Sequence, residues 1–345
     1  MGYSQLDKIL HRQFLERNGL TKFLFDRLKQ KSKYANNLRE SSHVFITGLA
    51  RSGTTALLNK IYSSGKFSSL IYKYMPFILS PKLAYLYSKY FGNSNYNNHE
   101  RMHKDGIKIS LNSPECLDEI FWIHHDINYN SHDALCNENI NRATLDQYSF
   151  FLNSYSNFNK NNRLVIKNNN NHVRLESLSY YFENSYFLVI FRKPISHATS
   201  LLNQHQNFIK IQTEDPFILE YMNLIGHMEF GLGSRPFRYK EQESFIENQS
   251  KNGIDYWLSQ WIETHNWLLN REFIYRKNIK IICYENLCAD KVIYKDICKF
   301  IRLTKYNSGL SFKESKNLKI KSNPNKDLLE KANSIYAQLK DLSLK

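Results

Sequence analysis

Thr47-Gly48-Leu49-Ala50-Arg51-Ser52-Gly53-Thr54-Thr55 follows the apolar run Val44-Phe45-Ile46 and leads into a stretch over 54–62 that reads as helix. In the order strand, glycine-containing turn, helix, successive backbone N–H groups and the positive end of a helix converge on a phosphate. The spacing Gly48-x4-Gly53 is that of a nucleoside-triphosphate loop, but Thr54 stands where the lysine that grips β- and γ-phosphates belongs. ATP and GTP chemistry is disfavoured on that ground. A cation, Arg51, sits earlier in the loop, and Thr54 and Thr55 offer hydroxyls to a single phosphate. The competing reading is a plain connection that binds nothing.

Outward from this loop the pattern repeats. Apolar strands are expected at 164–166, 186–191 and 279–284, with helices over 173–182, 195–208 and 292–301. Strands alternating with helices call for a parallel sheet with right-handed crossovers. The fold class read from this is α/β, a three-layer sandwich of the P-loop NTPase type around a central parallel sheet. Long helical inserts at about 65–160 and 210–278, rich in Tyr, Phe, His and Trp, are expected to form the acceptor side of the site. Residues 1–40 carry apolar positions three and four apart, which predicts an amphipathic helical extension packed on a single domain of 41–345, with peripheral membrane contact as the alternative. The run Asn168 to Asn171 reads as loop.

A second anion site is suggested after the strand at 186–191. Arg192 closes that strand, Pro194 suits a helix start, and Ser200 follows eight residues after the arginine. A guanidinium donates two parallel hydrogen bonds to a phosphate, so Arg192 and Ser200 are expected to converge on one anion. Two such sites at the C-terminal ends of neighbouring strands lie where open α/β sheets bind ligands.

Composition narrows the rest. The chain of 345 residues has a formal net charge of +15 and 42% hydrophobic residues, which fits a globular protein with an anionic partner. Five cysteines without a CxxC pair indicate neither a disulfide framework nor a zinc site, and suggest reduced thiols and a cytoplasmic setting. No apolar run approaches the ~20 residues that span a bilayer. The aromatic run Tyr256, Trp257, Trp261 and Trp267 has helical spacing and reads as core.

These motifs resemble the sulfotransferase superfamily, specifically its soluble bacterial members. The resemblance is carried by 45–55, by Met75-Pro76-Phe77, by 101–122, by Phe191-Arg192-Lys193-Pro194 with 201–205, by Glu229-Phe230-Gly231, and by Tyr284-Glu285-Asn286-Leu287. It implies 3′-phosphoadenosine-5′-phosphosulfate (PAPS) as co-substrate and no metal. By the same resemblance the 5′-phosphosulfate falls to Arg51, Ser52, Gly53, Thr54 and Thr55, and the 3′-phosphate to Arg192 and Ser200. Arg51 would then meet the bridging and leaving oxygens. Two positions depart from the family pattern: Ala50 replaces the usual proline, and Lys193 replaces the acid usual between Arg192 and Pro194.

Sulfuryl transfer is in-line, so a base must take the acceptor proton while cations meet the developing charge. His103 is the expected base, oriented by Asp105, with Glu115 as runner-up. The acceptor is expected to be a hydroxyl or amine of a small molecule or glycan, with glycolipid included and nucleic acid excluded, and the protein to be a monomer or homodimer. The alternatives are a P-loop kinase of a small molecule and a non-catalytic polyanion-binding protein.

Overall fold

The computed structural model describes residues 5–16, 19–32, 42–90, 99–100, 102, 106–129, 133–157, 162–240, 244, 246, 249–306, 312–313 and 323–345. Four strands, β1 (Val44–Thr47), β2 (Val165–Lys167), β3 (Tyr186–Phe191) and β4 (Ile279–Cys283), form a parallel sheet in the order β2-β1-β3-β4. The register pairs Val44 with both Val165 and Tyr186, and Phe187 with Ile279. Alternation along these strands divides the core in two. Val44, Ile46, Leu188 and Ile190 face one side, where they pack with Leu57 and Ile61 of α3 (Thr54–Tyr62) and Ile293 and Ile297 of α12 (Lys291–Phe300). Phe45, Phe187, Val189 and Phe191 face the other. There they meet α6 (Arg142–Ser156), α8 (Pro194–Glu214), α10 (Ile254–Leu269) and α13 (Lys326–Leu342). Both faces are covered, so the strands are mostly apolar, and the molecule is a three-layer α/β sandwich.

The remaining helices belong mainly to the extension and the inserts: α1 (Gln5–Leu15), α2 (Gly19–Ser32), α4 (Pro81–Tyr90), α5 (Glu119–His124), α7 (Leu175–Tyr181), α9 (Pro216–Leu224) and α11 (Tyr284–Ala289). Starts follow local chemistry. α8 and α9 each open on a proline, and the side chains of Asn141, Asp290 and Asn325 accept backbone N–H bonds at the starts of α6, α12 and α13. Tyr256, Trp257, Trp261 and Trp267 are all buried in the core, as their spacing predicts.

Three local readings need correction. The expected helix at 173–182 is preceded by a 3-10 turn, Asn169–Arg174, because the Asn168 side chain accepts from the Asn170 amide and caps it. Asn168 to Asn171 are buried rather than loop-like on the surface. The last strand stops at Cys283, and Tyr284 opens α11.

Candidate active site

In the order β2-β1-β3-β4 the chain leaves β1 for one neighbour and later returns to the other, so a crevice opens at the C-terminal ends of β1 and β3. A cleft of about 570 Å³ lies there. Its lining includes Arg51, Gly53, Thr54 and Thr55 from the loop after β1, and Arg192 immediately after β3. Lys167 and Asn169 join from the end of β2, and Tyr284 from the end of β4.

The loop's shape is enforced by sterics. Gly48 has φ 138°, and a Cβ there would lie 2.2 Å from the Ile190 carbonyl oxygen. Gly53 has φ 106°, and a Cβ there would meet the Tyr284 ring at 2.3 Å. Arg51 itself adopts φ 71°, a left-handed conformation that costs a non-glycine residue about 1 kcal/mol or more and is held by its surroundings. One of those holds is His197, buried and kept neutral because burial pushes its pKa well down; its Nε2–H donates to the Ala50 carbonyl at 2.7 Å. Arg51 Nε donates to Ser200 Oγ at 3.3 Å. The Ser52 hydroxyl is fully buried and has no hydrogen-bond partner among the described residues. An orphaned hydroxyl in a loop whose glycines keep side chains out fits a site for an anionic oxygen.

Arg192 is supported from behind by Glu285. Its Nε lies 4.0 Å from Glu285 Oε1, which also accepts the Lys193 amide at 2.9 Å. Tyr336 of α13 donates to Glu285 Oε2 at 3.1 Å. Tyr284 packs on Gly53, and Glu285 stands beside Arg192 and Lys193.

Across the cleft stand two carboxylates. Glu115 Oε1 accepts from Lys167 Nζ at 3.0 Å and from the Cys116 amide at 2.9 Å, and Oε2 accepts from the Tyr72 hydroxyl at 3.1 Å. Glu229 Oε1 accepts from Asn169 Nδ2 at 3.1 Å, and Asn169 Oδ1 in turn accepts from Thr54 Oγ1 at 3.1 Å. A single buried asparagine therefore couples the loop after β1 to a carboxylate of the cleft. Glu229 Oε2 has no hydrogen-bond partner among the described residues, and His227 borders the same wall.

Beneath this wall lies a buried polar network. Asn168 Nδ2 donates to Asp118 Oδ2 at 3.1 Å and to Glu119 Oε2 at 2.7 Å, while Arg174 grips both Glu119 oxygens at 2.6 and 2.8 Å. Burial pushes the Asp118 carboxyl up to about 6, with the neighbouring Glu119 charge adding to it. Burial also opposes ionisation of Glu119, but the Arg174 charge and hydrogen bonds outweigh it and bring its pKa below the usual range. The network anchors the turn that carries Asn169.

Of the sequence-expected residues, Arg51, Gly53, Thr54, Thr55, Arg192 and Glu115 border one cleft. Ser52 and Ser200 lie outside that lining, and Ser200 Oγ accepts from Arg51 Nε. His103 and Asp105 lie outside the described residues. Lys167, Asn169, His227 and Glu229 were not assigned to the site by sequence reasoning, although Glu229 lies in a motif that carried the resemblance. Among the described residues no three His, Cys, Asp or Glu side chains group as they would around a metal ion.

A glycine loop between β1 and α3 faces an arginine at the end of the adjacent parallel strand, on the cleft of a three-layer α/β protein. Residues 43–229 match the family described as "Sulfotransferase family", more than half of the chain, and the protein belongs to that family. Among solved structures it is similar to the sulfotransferase STF1 of Mycobacterium tuberculosis H37Rv, at 13% identity and a TM-score of 0.48, covering 88% of this chain and 78% of that one. It is also similar to the sulfotransferase STF9 of Mycobacterium avium, at 12% identity and a TM-score of 0.44, covering 97% and 80%. No curated protein matches the chain.

Proposed function

We propose that the protein transfers the sulfuryl group of PAPS to a hydroxyl or amine of a small-molecule or glycan acceptor. What carries this reading is the pairing of two arginines, Arg51 and Arg192, on one cleft at the ends of adjacent strands, in a loop whose usual lysine position holds Thr54. One arginine for each phosphate suits a 3′,5′-bisphosphorylated nucleotide better than a triphosphate chain.

On this reading Ser52, Gly53, Thr54 and Thr55 hold the 5′-phosphosulfate at the start of α3, and Arg51 meets charge on the leaving oxygen. Arg192 and Ser200 take the 3′-phosphate, and the Arg51 to Ser200 hydrogen bond ties the two subsites together. PAPS supplies an activated sulfuryl group on a good leaving phosphate. The chain's own residues orient it and accept the acceptor's proton. For that proton Glu229 is better placed than Glu115, because Glu115 is committed on both oxygens to Lys167, Cys116 and Tyr72. Asn169 orients Glu229 and leaves its second oxygen to the cleft. His103 stays a base candidate from sequence alone.

The test is thermal unfolding with 3′-phosphoadenosine-5′-phosphate (PAP) against ATP with magnesium, on wild type, Arg51→Ala and Arg192→Ala. Ligand binding to the folded state raises Tm by mass action. PAP is expected to stabilise wild type and to lose its effect in both variants. Stabilisation by ATP and magnesium alone, or an unaltered PAP response in both variants, refutes the proposal.

A further inference from the structure

Most surface helices turn large apolar residues inward and polar ones outward. α4 does the reverse. Its buried positions are the small residues Pro81, Ala84 and Ser88, while Leu83, Tyr85, Leu86 and Tyr90 are exposed, Tyr90 at 69%. Lys82 and Lys89 stand exposed on the same helix, which contains no acidic residue.

The feature extends to the neighbouring helices. Ile9 of α1 and Leu20 and Phe23 of α2 are also exposed, so seven of the twelve exposed large hydrophobic side chains among the described residues lie on α1, α2 and α4. Phe14 of α1 packs on Phe77 at 4.4 Å, and Phe77 on Tyr87 of α4 at 5.0 Å, which joins α1 to α4. Phe25 holds α2 to α5 through Phe121 at 5.9 Å and His124 at 5.5 Å.

Charge follows the same helices. Their sequences hold eight Lys and Arg against two Asp, a balance of +6 over 35 residues, whereas the whole chain carries +15 over 345. Lys8 and Arg12 are paired with Asp215 and Glu220 of the α8–α9 region, which fixes α1 to the protein. Arg27, Lys31, Lys82 and Lys89 are exposed and form no ion pair among the described residues. Arg27 lies 5.3 Å from the exposed Phe23 ring and Lys89 5.7 Å from the exposed Tyr90 ring.

We propose that the layer formed by α1, α2 and α4 docks on an anionic lipid bilayer. Exposed leucine, phenylalanine and tyrosine side chains interleaved with uncompensated lysine and arginine match what a bilayer surface presents: an apolar interior beneath negatively charged headgroups. Tyrosine favours that boundary because its ring is apolar and its hydroxyl is wet. The layer also lies beside the cleft, since α1 packs on α9 through His11 and Tyr221 at 5.3 Å, and Met222 of α9 lines the cleft.

The experiment is co-sedimentation of the full chain with phosphatidylcholine vesicles, with and without phosphatidylglycerol, at low and high salt. The size of the free protein is measured by light scattering alongside. Wild type is expected to bind the anionic vesicles at least about tenfold better than the neutral ones, and to be released by salt. Leu83→Ser with Leu86→Ser, and separately Lys82→Glu with Lys89→Glu, are expected to weaken binding by about tenfold each while leaving PAP stabilisation unchanged. All four positions are exposed, so folding is not at stake. Wild type remaining in the supernatant with anionic vesicles overturns the proposal, as does equal binding by both double variants. A dimer that these substitutions dissociate, without vesicle binding, makes a second copy the occupant and overturns it too.

Discussion

Lys167 Nζ lies 3.0 Å from Glu115 Oε1, and the two side chains are only 5% and 6% exposed. An ion pair this deep loses heavily when one partner is removed, because the other charge stays buried without that counter-charge. Glu115→Ala is expected to destabilise the protein by about 3 kcal/mol. Urea unfolding of the variant checks this, and a loss below about 1 kcal/mol would show the pair to be solvated.

The contrast between the two cleft carboxylates gives a kinetic prediction. Glu229→Gln keeps an oxygen for Asn169 Nδ2 but removes the carboxylate proposed as the base. It is expected to slow PAP release from PAPS about a hundredfold, with PAP affinity within about threefold of wild type. Chromatographic assay with water and p-nitrophenol as acceptors measures the first, and calorimetry the second. A rate near wild type assigns the base elsewhere, with Glu115→Gln and His103→Ala as the next variants.

Asp118 predicts a dependence on pH. Its folded value is raised to about 6 by burial, so the folded state holds the proton more tightly than the unfolded chain. The stability this contributes is complete below the ordinary aspartate value of ~3.9 and is lost as pH rises through about 6. Asp118→Asn can still accept from Tyr148 and Asn168 through its one oxygen, and its amide replaces Oδ1, which has no partner. The variant is therefore expected to gain on wild type between pH 5 and 8, by up to about 3 kcal/mol. Parallel denaturation curves across that range decide it, and a pH-independent difference contradicts the assignment.

Gly48→Ala tests the loop's steric basis. The new methyl would lie 2.2 Å from the Ile190 carbonyl oxygen, at a φ of 138° that disfavours any side chain. A loss of several kcal/mol is expected, together with PAP binding. Near-normal stability in this variant would mean that β1 and β3 separate more easily than their packing implies.

These outcomes bear on what the sequence made legible. That Arg51, Gly53, Thr54 and Thr55 share a cleft with Arg192 was legible because strand, turn and helix lie consecutively in the chain. Asn169 could not. A run of four asparagines has the composition of a loop, and only the tertiary fold buries it and sets Asn169 between Thr54 and Glu229. Lys167 and Glu115 meet across 52 positions of sequence, and the Lys193 amide meets Glu285 across 92. Such pairings leave no periodicity to find. The end of β4 was misjudged by one residue because Tyr284 has strand propensity but begins a helix against Gly53.

On the proposed function Arg192 reads a second phosphate while Arg51 serves the first. Calorimetric titration of PAP and of adenosine 5′-monophosphate into wild type and Arg192→Ala tests it most directly. Wild type is expected to prefer PAP by at least about tenfold, the worth of one charge-assisted contact, and Arg192→Ala to bind both nucleotides alike. Equal affinities in wild type, or a preference for PAP that survives in Arg192→Ala, would contradict it.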